Sequence, residues 1–179
     1  RSGHMLMVVV LGCLLRRVSF GSLPLWIDLA VMQCIVPSES MTPTLQVDDR
    51  VFVSRNSFYQ PKTSDVVVFK APPEAIDILE TDPDTLFVKR VVGLPGQQVE
   101  VRDGKLWVKR VPVEEEYIEA DIRYRWGPEL IPPGSYFVLG DNRNESADSH
   151  VWGMLPREFI IGEAYKIYWP AERVRSLQR

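Results

Sequence analysis

The clearest structural signal in the sequence is the stretch VEVRDGKLWV at residues 99–108. Apolar and polar residues alternate on both sides of its Asp-Gly pair, and such a pair favours the two-residue turn of a β-hairpin. A turn at this pair places Val101 opposite Leu106. It also places Val99 opposite Val108 on the same apolar face. The stretch therefore predicts an antiparallel hairpin with a defined register.

Other short runs of β-branched and aromatic residues follow Pro37, and turn residues bound each of them. Proline-rich segments such as Pro72-Pro73, Pro83 and 131–134 are predicted loops. With 14 prolines in the chain and no long helical period after Pro37, the body is predicted to be mainly β, an antiparallel folded sheet or barrel-like structure. The further predicted strands lie at residues 50–54, 65–69, 86–88, 136–139 and 164–169.

Composition excludes several classes of protein. The chain has 179 residues, of which 45% are hydrophobic, so one globular domain with an appendage is expected. A formal net charge of −3 argues against nucleic-acid binding, which favours a basic surface. Two cysteines and two histidines are too few for a disulfide scaffold, a four-thiolate zinc site or a multi-histidine centre. We therefore expect no metal and no nucleic-acid partner.

The first 35 residues differ from the rest of the chain. Residues 1–5 resemble an expression scar, and residues 6–35 are mostly apolar. Arg16-Arg17 and Asp28 interrupt this region, so no run reaches the ~20 apolar residues that span a bilayer. We expect an anchor-like, membrane-associated segment, with a core helix plus a buried strand as the alternative. The predicted organisation is a scar at 1–5, this apolar segment at 6–35, a catalytic β domain at 36–170 with a small insertion at about 97–139, and a tail at 171–179.

The segment VPSESMTPTL at residues 36–45 carries Ser38 and Ser40 between two prolines. Each proline restricts the backbone φ angle. The segment therefore predicts a stiff stretch of chain that holds a serine in place, and an ordinary polar loop is the alternative.

The segment FVKRVVGLPG at residues 87–96 places Lys89 and Arg90 inside an otherwise apolar strand. Neighbouring strand residues point to opposite faces, so one of the two side chains faces the apolar side or a cleft. The alternative is an edge strand whose basic side chains reach solvent. Burial lowers a lysine pKa because it disfavours the charged form, and the charge of Arg90 adds to this effect. Lys89 is therefore a candidate base for a serine nucleophile.

The segment LGDNRNESADSH at residues 139–150 is polar and mixes opposite charges. It fails as a calcium loop, because Arg143 occupies a ligand position and Ser146 stands where the turn glycine belongs. A structural loop held by an ion pair between Arg143 and Asp148 fits better. His150 is the one histidine candidate for the base of a Ser-His-Asp triad.

Together and in this order, the three segments resemble those of type I signal peptidases. Residues 37–45 match Pro-Ser-x-Ser-Met-x-Pro-Thr-Leu, residues 89–96 match Lys-Arg-x-x-Gly-x-Pro-Gly, and residues 140–149 match Gly-Asp-Asn-Arg-x-x-Ser-x-Asp-Ser. The resemblance runs from about residue 36 to residue 170. It implies a mainly β, membrane-bound serine endopeptidase that uses a Ser-Lys dyad to remove N-terminal signal peptides from exported preproteins.

By position, the resemblance makes Ser40 the nucleophile and Lys89 the general base. It assigns the oxyanion hole to the Ser38 hydroxyl and the Ser40 backbone N–H, and each preorganised donor of this kind is worth ~2.7–4 kcal/mol. His150 stands where the family often has arginine, so we expect it to be structural. The remaining implied roles are orientation of the lysine by Ser146 and structural support by Arg143 and Asp148.

The family cleaves after small residues at positions −1 and −3 of the signal peptide. The resemblance implies that an extended substrate pairs with strands near residues 34–36 and 85–87. It also implies a bacterial inner membrane or thylakoid membrane location with the catalytic domain on the trans (periplasmic or lumenal) side, signal peptides and membrane lipid as partners, and no cofactor. The implied apolar subsites are lined by Val36, Pro37, Met41, Leu45 and Phe87.

Two other functions are alternatives to signal-peptide removal. Self-cleaving repressors share the Ser-Lys arrangement, but residues 5–36 are too few and too apolar for their DNA-binding helical module. A membrane-tethered β module that binds extended peptides without cleaving them is the non-enzymatic alternative. The joint presence of Ser40, Lys89, Ser38 and Ser146 argues against it.

Overall fold

The computed structural model describes residues 31–56 and 58–178. Its architecture is mainly β, with antiparallel sheets and a few short helices, which confirms the predicted fold class. The helices are α1 (Pro73–Leu79) and α2 (Ser149–Trp152). The strands are β1 (Val31–Ile35), β2 (Arg50–Ser54), β3 (Val66–Lys70), β4 (Leu86–Gly93), β5 (Gln98–Arg102), β6 (Lys105–Val108), β7 (Val111–Pro112), β8 (Trp126–Leu130), β9 (Ser135–Leu139), β10 (Leu155–Pro156), β11 (Ile160–Trp169) and β12 (Arg175–Ser176).

The described strands form two sheets. The larger sheet has eight strands, in the order β1-β2-β11-β3-β4-β9-β10 with β12 paired to β11. The smaller sheet has four strands in the order β7-β6-β5-β8. It is built from chain that leaves the larger sheet after β4 and returns to it at β9. Residues 97–139 therefore contain the smaller sheet, while the predicted domain boundaries remain a prediction.

The predicted hairpin is confirmed with its register. Val99 pairs with Val108 and Val101 with Leu106. Asp103 and Gly104 have φ angles of 53° and 77°, which is the left-handed geometry that a tight hairpin turn requires.

The other predicted strands correspond to β2, β3, β4, β9 and β11. One predicted loop is different, because α1 begins at Pro73 rather than leaving Pro72-Pro73 as loop. Proline suits the first helical position, where its missing N–H has no helical acceptor to bond.

The core lies in three apolar clusters. One packs under β1, β2 and β11 and includes Met41 and Leu45 from the serine-bearing segment. A second lies around β3, β9 and α2. The third joins the smaller sheet to β9 through residues such as Phe137. The smaller sheet is therefore packed against the strand that leads into the third polar segment.

The predicted scar and residues 6–30 of the predicted anchor-like segment lie outside the described residues. Residues 31–35 form β1, which pairs with β2 at one edge of the larger sheet. In the described part of the chain, no helix has both the length and the apolar character to cross a membrane.

Candidate active site

Ser40 lies in a single 3-10 turn, Glu39–Met41. The turn is closed by a backbone hydrogen bond from the Thr42 N–H to the Glu39 carbonyl at 3.0 Å. Met41 and Leu45 anchor it, since both side chains are fully buried in the core. Ser40 itself is 9% exposed. The apolar residues of the motif thus fix the turn that presents the serine.

The structure brings Lys89 to Ser40 although 49 residues separate them in the chain. Lys89 Nζ donates a hydrogen bond to Ser40 Oγ at 2.7 Å. The lysine is 4% exposed, and it lies in the part of β4 that pairs with β3. Burial lowers the pKa of Lys89 to about 8, against the opposing effect of the Asp148 and Asp141 charges. These are the geometry and the protonation behaviour that a lysine base needs.

Arg90 points to the other face of β4 and is also buried, at 3% exposure. Its Nε and Nη2 donate to the two carboxylate oxygens of Asp141 at 2.8 and 2.6 Å. Its Nη1 donates to the Ser64 carbonyl at 2.8 Å. The alternative of an edge strand with solvated basic residues is therefore wrong. The Arg90 charge is balanced by Asp141, so burial is the cause of the lowered Lys89 pKa.

The third polar segment closes over the Ser40 turn. The Asn142 backbone N–H donates to the Ser40 carbonyl at 3.1 Å, and Asn142 Nδ2 donates to the Glu39 carbonyl at 3.3 Å. Gly140 makes this approach possible. A Cβ atom at Gly140 would lie 2.2 Å from Ser146 Oγ and 2.4 Å from the Ser40 carbonyl oxygen.

Ser146 lies in this buried region with 8% exposure. Its hydroxyl has no hydrogen-bond partner among the described residues. The bond from Ser146 to the Lys89 amine therefore stays a prediction. A buried hydroxyl without a partner is uncommon, and it leaves the Ser146 hydroxyl able to donate or accept a hydrogen bond.

Arg143 and Asp148 both support the loop, but not by pairing with each other. Asp148 accepts from the Gly140 N–H at 2.8 Å and from His150 Nδ1 at 2.7 Å. Arg143 donates through Nε to the Gly140 carbonyl at 3.0 Å and forms its ion pair with Glu115 at 2.6 Å. The sequence pattern of the loop could not show this partner, since Glu115 comes from another part of the chain.

Ser38 and the predicted subsite residues occupy different environments. Ser38 is exposed, and its hydroxyl lies 3.3 Å from Ser40 Oγ. Met41 and Leu45 have no exposed surface and face the core. Val36, Pro37 and Phe87 line an apolar depression with about 280 Å³ of empty space, its open mouth included. The whole lining is Cys34, Ile35, Val36, Pro37, Val51, Val68, Leu86, Phe87 and Val88.

Two strand edges face each other across this depression. Among the described strands, β1 pairs with β2 alone and lies at one end of the larger sheet. In β4, residues 86–89 pair with β3, whereas β9 pairs only with the stretch from Arg90 to Gly93. The other side of residues 86–89 is therefore without a strand partner among the described residues. An extended peptide fits between these edges by adding a strand.

The chain is similar in sequence to proteins described as signal peptidases. The profile of the family described as signal peptidase, peptidase S26, matches residues 18–169. A signal peptidase I of Leptolyngbya laminosa is 46% identical over 144 residues, which are 79% of this chain and 70% of that protein. Thylakoidal processing peptidase 1, chloroplastic, of Arabidopsis thaliana is 45% identical over 143 residues, which are 78% of this chain but 42% of the relative. A solved signal peptidase I from Enterococcus faecalis has 27% identity and a TM-score of 0.46, covering 60% of this chain and 98% of that one.

Proposed function

Since the chain belongs to the signal peptidase family, peptidase S26, we propose that it is a serine endopeptidase that removes N-terminal signal peptides from preproteins. The observation that carries the proposal is the 2.7 Å contact between Lys89 Nζ and Ser40 Oγ, made by two buried residues. A neutral amine at this distance is a general base for the hydroxyl.

Lys89 transfers a proton in each of the two stages of the proposed reaction, the acylation of Ser40 and the hydrolysis of the resulting ester. The lone pair of its neutral amine accepts the Ser40 proton while Oγ forms a bond to the scissile carbonyl carbon. The resulting ammonium gives that proton to the leaving amine as the C–N bond breaks. Lys89 then takes a proton from a water molecule as the water oxygen bonds to the ester carbonyl carbon, and the ammonium returns that proton to Ser40 Oγ as the ester C–O bond breaks. A pKa of about 8 keeps part of the lysine neutral at neutral pH, where a solvated lysine is almost wholly charged.

Negative charge on the carbonyl oxygen is stabilised, in this proposal, by the Ser40 backbone N–H and the Ser38 hydroxyl. The 3.3 Å separation of the two hydroxyls supports the assignment, because a group bonded to Ser40 Oγ lies beside Ser38. Removal of one such donor costs ~2.7–4 kcal/mol of transition-state stabilisation.

The substrate is proposed to bind as an extended strand between β1 and residues 86–88 of β4. The apolar depression there supports a preference for small residues at −1 and −3, because its lining leaves little room for large side chains. Val36, Pro37 and Phe87 are the proposed subsite residues. Met41 and Leu45 act, in this proposal, through the position of the Ser40 turn.

Relatives named as signal peptidase I and as thylakoidal processing peptidase support membrane association. We propose that the catalytic body works at the surface of a bacterial inner membrane or a thylakoid membrane, on the trans side and in contact with lipid.

The test is cleavage of a preprotein with an Ala-x-Ala site by the full chain in detergent or lipid. We expect cleavage after the second Ala by the wild type and its loss in Ser40→Ala and in Lys89→Ala. Lys105→Ala is the matched control, because that lysine side chain is 48% exposed and pairs with Glu114 on the smaller sheet. Cleavage that persists in Ser40→Ala would overturn the proposal. A folded wild type that binds the preprotein but leaves it intact would favour the peptide-binding module.

A further inference from the structure

The connection between β7 and β8 extends beyond the smaller sheet and contacts the two buried arginines of the catalytic segments, Arg90 and Arg143. Glu115 has a side chain that is 2% exposed, and its carboxylate accepts from Nη1 and Nη2 of Arg143 at 2.6 and 2.7 Å. The Tyr117 hydroxyl donates to the same carboxylate. The Tyr117 ring lies 3.9 Å from the guanidinium carbon of Arg90. One short segment therefore contacts two buried arginines on different motifs.

Each of these arginines holds the loop that closes over Ser40. Arg90 binds Asp141 through two hydrogen bonds. Arg143 binds the Gly140 carbonyl through Nε. The next residue after Asp141 is Asn142, whose N–H donates to the Ser40 carbonyl. If either guanidinium moves, the loop moves with it, and the hydrogen bond from the Asn142 N–H to the Ser40 carbonyl changes as well.

The buried charge of Arg143 is balanced by Glu115, so the position of the Arg143 side chain depends on this segment. Arg143 is 2% exposed, and Glu115 is the one carboxylate bonded to it within the described part of the chain. A buried guanidinium without that partner would draw in water or turn outward, because uncompensated buried charge is strongly unfavourable. Burial also raises the pKa of Tyr117, so its hydroxyl stays protonated and remains a donor to Glu115. The ring over Arg90 adds a cation–π contact in a desolvated place.

We propose that Glu115 and Tyr117 are positioning residues for the Ser40–Lys89 pair, through which the smaller sheet holds the catalytic loop in its active geometry. This inference rests on the proposed function for its kinetic consequences. Neither residue belongs to the three motifs, and neither touches the apolar depression. They act on the reaction step and leave substrate binding unchanged.

The variants are Glu115→Gln, Tyr117→Ala and Tyr117→Phe, measured in the full chain. Glu114→Gln is the matched control, because the neighbouring carboxylate is 82% exposed and pairs with Lys105 on the surface. Displacement of a catalytic group by about 1 Å costs on the order of 100-fold in rate. We expect losses in kcat approaching this size for Glu115→Gln and Tyr117→Ala, with KM unchanged. Tyr117→Phe keeps the ring over Arg90 and is expected to lie closer to the wild type than Tyr117→Ala.

Amide hydrogen exchange supplies a readout that does not depend on cleavage. The Asn142 amide is expected to exchange faster in Glu115→Gln and Tyr117→Ala than in the wild type, and at the wild-type rate in Glu114→Gln. If Glu115→Gln does not fold, the two Tyr117 variants still decide the matter. A wild type that fails to cleave would count against the proposed function alone, and the exchange rates would still decide the positioning. Unchanged Asn142 exchange in folded Tyr117→Ala, or a change confined to KM, would overturn the inference.

Discussion

Burial and two carboxylates act on the Lys89 amine in opposite directions. Burial lowers its pKa, while the charges of Asp148 and Asp141 raise it. Both carboxylates are already engaged, Asp141 by the Arg90 guanidinium and Asp148 by the Gly140 N–H and His150. Their attraction for the lysine charge is therefore weakened, and burial decides the result. The acidic partners hold the loop without making the lysine a permanent cation.

The lowered pKa predicts a pH-dependent stability. Below pH 8 the Lys89 amine is charged in both the folded and the unfolded chain, and above about 10.5 it is neutral in both. Between these values the unfolded chain binds more protons, so the free energy of unfolding rises with pH. The rise amounts to about 3 kcal/mol, since one pKa unit corresponds to about 1.4 kcal/mol.

Lys89→Met removes this titration, and its unfolding free energy is expected to lack the rise. The measurement is urea unfolding of wild type and variant at several values between pH 7 and 10.5. Lys105→Met serves as the control, because its exposed side chain should leave the pH dependence intact. Parallel curves for the wild type and Lys89→Met would contradict the lowered pKa.

At the scale of elements, the junction between β9 and the loop after it depends on Gly140. An alanine methyl group there would overlap Ser146 Oγ and the Ser40 carbonyl oxygen, and the latter belongs to the backbone. Gly140→Ala is expected to destabilise the fold by about 1–3 kcal/mol through overpacking. It should also abolish most of the cleavage, because the loop must move away from the nucleophile.

Gly134→Ala is the control that separates a loss of stability from a loss of cleavage. Gly134 has a φ angle of 74° and open space around its Cβ position, so alanine there is strained without a clash. It is expected to cost about 1 kcal/mol of stability and to leave kcat unchanged. Cleavage assays and thermal unfolding of both variants provide the comparison, and equal activity in the two would refute the role of Gly140.

Elements with local signals could be predicted from the sequence, and long-range contacts could not. The 99–108 hairpin is a local structure, since alternation and an Asp-Gly turn lie within ten residues, and its register is confirmed. The pattern predicts that one of Lys89 and Arg90 faces the apolar side, but it could not show that Arg90 is buried as well, because a strand carries two adjacent buried cations only if each has a distant partner. Those partners, Ser40 and Asp141, lie 49 and 51 residues away. Glu115 stands in a run of three glutamates that carries no signal, and only the fold distinguishes it from its neighbours.

At the scale of the whole molecule, more than one described strand lies at the end of a sheet, where an extended peptide could add. β8 is an edge strand of the smaller sheet and exposes Leu130 at 63%. It contains Pro128, which has no N–H to donate, and none of its residues line the apolar depression. The gap between β1 and residues 86–88 has two facing edges and an apolar floor, and it adjoins Lys89. Backbone pairing and side-chain burial therefore favour the same place, beside the nucleophile.

This argument predicts where a substrate protects the protein. A peptide with Ala at −1 and −3, added to full-length Ser40→Ala, is expected to slow amide exchange in residues 34–36 and 86–88. The same peptide with Trp at both positions is the control, and it should protect neither segment, because the lining of the depression leaves little room for large side chains. Exchange measured with increasing peptide concentration gives the affinity of each. Protection that developed along β8 instead would mean that the free edge of the smaller sheet is the binding edge and that the apolar depression does not select the residues at −1 and −3.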